Sequence, residues 1–88
     1  MAATFHLSIL TPEKSVFEGD VEYLEAPGSE GYFGVLANHA GMVTSLMPGR
    51  LTLRQGGRDQ TYQVSGGFFE VSKNRATVLA DTIQSRST

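Results

Sequence analysis

Apolar residues recur at every second position along this chain, in short runs closed by turn residues. No stretch keeps a helical period over three turns. The run TFHLSIL sets Phe5, Leu7 and Ile9 against His6 and Ser8, the alternation of a half-buried strand. SVFEG and VEYLEAP follow, parted by Gly19-Asp20, then YFGVL and GMVTSLM. The last of these runs into Pro48-Gly49, an order that suits a type II turn. In RLTLRQ, Leu51 and Leu53 point one way and Arg50, Thr52 and Arg54 the other. Gly56-Gly57 is a two-residue hairpin signal, and QTYQVS returns with Tyr62 and Val64 inward. GFFEVS and ATVLAD form a last hairpin around Lys73-Asn74, where asparagine tolerates the left-handed conformation. About nine short strands without linker or repeat predict an all-β domain, an antiparallel β-sandwich or flattened barrel. That domain spans residues 1–82, and DTIQSRST trails into a short polar tail over 83–88.

Two stretches break the simple inside–outside alternation. Adjacent strand residues point to opposite faces, so Phe69 and Val71 fill the core while Phe68 lies on the other side. Met42, Val43, Leu46 and Met47 likewise cannot all face one interior. Apolar residues on both faces are either scattered exposed positions or a face covered by a partner.

Composition narrows the field. The 88 residues carry nine acids and seven bases, interspersed, for a net charge of −2. This gives no support to a nucleic-acid or anionic-membrane surface. The absence of cysteine removes disulfides, thiolate nucleophiles and Cys-ligated metals, and favours a reducing compartment. The start MAATFHLSIL has neither a basic region nor a sustained apolar run, so it does not read as a signal peptide. No apolar segment is long enough to span a bilayer. A chain this short buries only about 60–65% of its unfolded surface, so stability is modest and a partner adds to it.

The segment GSEGYFGVLANHAG, with glycines at 28, 31, 34 and 41, invites a chemical reading. A phosphate loop needs Gly-Lys-Ser/Thr opening a helix; Gly34 instead leads into VLANH, and the glycines serve bends and positive φ. No GxSxG elbow occurs, and two histidines, His6 and His39, are too few for a convincing zinc site. His39 reads as a partly buried loop residue bonded to backbone. Arg50, Thr52, Arg54 and Arg58 form a solvated face or, more sharply, a patch for an acidic partner. No metal, cofactor or catalytic residue is expected. Two other classes stand beside a binding subunit. One is a small β-sandwich ligand-binding module with a concave polar pocket; the other is an enzyme built on Ser65, His39 and an acid.

The stretch PGSEGYFGVLANHAGMVTSLMPGRL resembles the loop-and-strand signature of the epsilon subunit of F-type ATP synthases, called delta in mitochondria. VSGGFFEVSKNRATVLADT resembles that family's second signature, and the resemblance covers about residues 4–82. It implies a ten-stranded β-sandwich and a non-catalytic role in the central rotor stalk, where the domain grips the gamma subunit and rests on the c-ring. The implied c-ring contact is Gly28, Ser29, Glu30, Gly31, Tyr32 and Phe33, with Glu30 pairing basic residues of the ring loops. The implied gamma-subunit contact is His39, Ala40, Met42, Val43, Thr44, Leu46 and Phe68. The implied location is peripheral, on the cytoplasmic face of a bacterial inner membrane or the stromal face of a thylakoid. Three departures stand out. Tyr32 occupies a position that is often acidic, Ala37 and Gly41 replace prolines flanking the histidine, and the chain ends where family members continue into a helical hairpin. The expectation is therefore a short form that neither binds ATP nor inhibits through a C-terminal arm.

Overall fold

The computed structural model describes residues 3–86, which form ten strands and no helix. They are β1 (Phe5–Leu10), β2 (Ser15–Val21), β3 (Tyr23–Gly28), β4 (Gly31–Val35) and β5 (Met42–Leu46), then β6 (Gly49–Gln55), β7 (Arg58–Val64), β8 (Gly67–Ser72), β9 (Arg75–Ala80) and β10 (Ile83–Arg86). Hydrogen bonds join them in the order β10-β7-β6-β3-β5-β8-β9-β1-β2, with β4 added to β3. The sheet folds on itself where β3 leaves β6 and meets β5. Tyr23–Glu25 pair with Arg54–Thr52, whereas the β3–β5 pairing is confined to Gly28 and Leu46. One layer is then β10-β7-β6-β3-β4, the other β5-β8-β9-β1-β2, giving the expected all-β sandwich.

Two-residue alternation fills the space between the layers. Phe5, Leu7 and Ile9 of β1, Leu51 and Leu53 of β6, Tyr62 and Val64 of β7, and Phe69 and Val71 of β8 are all buried. Phe33 of β4 meets Phe69 across the layers, ring centroids 5.1 Å apart and tilted by 54°. Burying a side chain of this size contributes about 1.5–3 kcal/mol. The far seam is drawn together where Gln55 Nε2 donates to the Asp20 carbonyl at 3.0 Å.

Both tight hairpins form at the expected residues. Gly56 and Gly57 have φ of 59° and 76°, Lys73 and Asn74 of 53° and 62°, the paired left-handed values of a type I′ turn. Four local expectations fail. Gly19-Asp20 is no turn: both residues pair with β1, and the break falls at Glu22. Pro48-Gly49 is no type II turn, because that turn needs positive φ at Gly49 and this glycine opens β6 instead. The segment from residue 83 is not a free tail, since Ile83–Arg86 pair with Val64–Thr61 of β7. An edge strand with one apolar residue, Ile83, leaves little trace in the pattern. Finally, the sheet is not wholly antiparallel, as His6–Leu10 run parallel to Arg75–Leu79.

Candidate functional site

The β3–β4 hairpin turns through Ser29 and Glu30, with Gly28 paired to Gly31, whose φ of 119° closes the reversal. Backbone bonds fasten this hairpin to β5: Met47 N–H donates to Pro27 O at 2.8 Å, and Ser29 N–H to Ser45 O at 3.1 Å. Against that frame lies an open groove of about 670 Å³ lined by residues 28–33, Met42–Ser45 and Phe68. All six residues expected at a c-ring, and Met42, Val43, Thr44 and Phe68 expected at gamma, thus share one concave surface.

The remaining expected residues lie elsewhere. Leu46 is buried in the core and presents no outer surface. His39 and Ala40 sit in the β4–β5 loop, outside the groove. His39 is partly buried, and its Nδ1 lies 2.7 Å from Ala40 O, which fixes that nitrogen as the protonated donor. Of the four glycines in the opening loop, Gly31 alone has positive φ. Gly28 and Gly34 serve close packing instead, since a Cβ there would meet Phe33 at 2.9 Å and the Tyr23 hydroxyl at 2.7 Å.

Tyr32 has a double role. Its ring is half exposed at the groove, while its hydroxyl turns back and accepts the Arg50 N–H at 3.0 Å. That amide lies beyond the β3–β6 ladder, and the phenol supplies the acceptor that a neighbouring strand would. Gly49 makes room, for a Cβ there would lie 2.7 Å from the same hydroxyl and 2.9 Å from Pro27 Cβ.

An apolar strip crosses the outer face of the second layer. Val43 is 76% exposed, Phe68 59% and Leu79 47%. Phe68 stands opposite Leu79, and Leu79 opposite Leu10. Leu79, together with the exposed Leu36, was missing from the sequence-based contact set. The alternation of ATVLAD carries the signal for Leu79, because Val78 faces inward.

Several polar side chains are already paired. Ser65 Oγ accepts the Thr82 N–H at 3.0 Å. Arg54 pairs through Nε with Asp59 at 2.9 Å, which raises its pKa, and lies 5.8 Å over the Tyr23 ring. His6 stands between Glu18 at 3.1 Å and Asp20 at 3.4 Å. Among the described residues no polar or charged side chain is buried, and no cluster of His, Cys, Asp and Glu is arranged to hold a metal. No helix among them is long and apolar enough to cross a membrane.

Comparison with known proteins gives a concordant result. Residues 4–86 match the family described as ATP synthase, Delta/Epsilon chain, beta-sandwich domain. The ATP synthase epsilon chain of Afipia carboxidovorans is 51% identical over 83 residues, covering 94% of this chain and 61% of the relative. That of Desulforamulus reducens is 48% identical over 84 residues, covering 96% and 64%. The chain thus spans about three fifths of the length of these relatives. Among solved structures, a chain of the Euglena gracilis mitochondrial ATP synthase, in a structure that includes the c-ring, superposes with a TM-score of 0.89. Its identity is 26%, over 97% of this chain and 55% of that one. A chain of the Tetrahymena thermophila mitochondrial ATP synthase, in its central stalk and c-ring structure, shares the fold at TM-score 0.79 and 15% identity, over 94% and 67%.

Proposed function

We propose, since this chain belongs to the ATP synthase delta/epsilon β-sandwich family, that it is a non-catalytic subunit of the rotor stalk. It binds the gamma subunit and the c-ring, and helps pass ion-driven rotation to the catalytic head. It works peripherally, on the cytoplasmic face of a bacterial inner membrane. The observation that carries this reading is the groove joining the β3–β4 hairpin to the outer face of β5 and β8. Its hairpin side is small and polar, with Ser29 and Glu30 at the tip, a form suited to close approach by polar loops. Its sheet side opens onto Val43 and Phe68, which continue to Leu79. Apolar side chains on the outer face of a sheet whose inner face already fills a core are of use chiefly under a partner.

The test is co-purification of the tagged chain from its own host in mild detergent, alongside a Phe68→Ser variant. Recovery of gamma and the c-ring with the parent chain, and their loss with the variant, is the expected result. A chain that emerges alone and monomeric overturns the assignment.

A further inference from the structure

We propose that Asn74 is a positioning residue, holding the β4–β5 loop that carries His39 and Ala40 in its working shape. Two segments far apart in sequence, the β4–β5 loop and the start of β1, converge on it. Its Oδ1 accepts the Asn38 N–H at 2.7 Å, its Nδ2 donates to Thr4 O at 3.0 Å, and its backbone O accepts the His6 N–H at 3.1 Å. Outside the strand ladders, the Asn38 bond is the one hydrogen bond among the described residues that ties 36–41 to another segment. Both ends of that bond are left-handed, Asn38 at φ 64° and Asn74 at 62°.

The chemistry selects the residue type. The second turn position demands positive φ, which glycine, asparagine and aspartate tolerate. The site also demands an acceptor toward Asn38 and a donor toward Thr4 from one short side chain. Glycine supplies neither, and an ionised aspartate supplies the acceptor alone. Asparagine meets all three conditions. One amide thereby fixes the β4–β5 loop, the start of β1 and the β8–β9 turn as a single end of the sandwich.

The bearing on partner binding rests on the stalk assignment above, so the experiment reads the two separately. Amide hydrogen exchange, followed by NMR on the whole chain, is compared for the parent, Asn74→Gly and Asn74→Asp. Glycine keeps the turn conformation, so the fold survives the loss of the side chain. Asn74→Gly is expected to speed exchange at Asn38 about tenfold, the worth of one hydrogen bond of ~1.4 kcal/mol. Amides of the β8–β9 hairpin should change by less than about twofold, because its ladder is untouched. Asn74→Asp, which keeps the acceptor, should restore protection at Asn38. Unchanged exchange at Asn38, or equal acceleration across both layers, overturns the proposal. Capture of gamma by the Asn74→Gly chain is measured in parallel. If Asn38 loosens while capture is unaffected, the positioning role holds and the assignment of the His39 loop to the gamma contact falls.

Discussion

At Gly49 one hydrogen atom separates a fitted contact from a collision. Gly49→Ala brings a methyl against the Tyr32 hydroxyl and Pro27, and overpacking of this kind costs about 1–3 kcal/mol. Tyr32→Phe removes the acceptor of the Arg50 N–H, a loss of about 1 kcal/mol. In a domain of this size that lowers the melting temperature by about 4–8 °C. The pair should be non-additive, the alanine costing less once the hydroxyl is gone, and a double-mutant cycle by thermal denaturation measures that coupling. Tyr62 gives a pH signature. Burial raises its pKa above the ordinary 10.0, so the folded chain holds the phenolic proton more tightly than the unfolded one. The resulting stability is fully present below pH 10 and is lost as pH climbs from there through the raised value. Urea titrations across the alkaline range should show this decline, and Tyr62→Phe should flatten it.

Strand β8 carries two neighbouring rings with opposite duties. Phe69 packs on Phe33 between the layers, and Phe69→Ala should cost about 3–5 kcal/mol, enough to unfold much of the population. Phe68 points outward, and Phe68→Ser should leave chemical denaturation within about 0.5 kcal/mol of the parent while abolishing partner capture. This opposition could be read from the sequence because alternation is rigid within a strand. The same rule was available for GMVTSLM, where Leu46 turns inward and Val43 and Met47 outward; assigning Leu46 to a contact ignored it. Clean hairpins such as β6–β7 and β8–β9 were legible from alternation and turn residues. Strand β2 was cut short because its Gly-Asp pair is held extended by β1, a partner no local signal announces. Strand β10 escaped notice because three of its four residues face solvent and carry no period.

For the whole molecule, the pieces of the candidate site could be read from sequence, but their meeting could not. The hairpin and β5 come together through the Gly28–Leu46 pairing, a product of how the sheet folds over. A stable interface takes about 800 Å² from each partner, a substantial share of the 5366 Å² that this small chain exposes. The groove and the strip through Val43, Phe68 and Leu79 are the surfaces suited to supply it. Because that strip is apolar, capture of gamma should persist at about 0.5 M salt, where exposed ion pairs are screened. A steep loss of capture with rising salt would instead assign the affinity to charged groups.

The parallel ladder between β1 and β9 carries a consequence for how the molecule is made. Strands β6 and β7 can pair as soon as both leave the ribosome, since their turn is two residues long. Strand β1, synthesised first, can pair early with β2, but its other edge waits until Arg75–Leu79 have emerged. Until then the strand shows an open edge and the apolar face of Phe5, Leu7 and Ile9. Loop closure over such a distance is slow, and exposed edges invite mispairing. A nascent chain paused shortly before β9 is the form most in need of a chaperone.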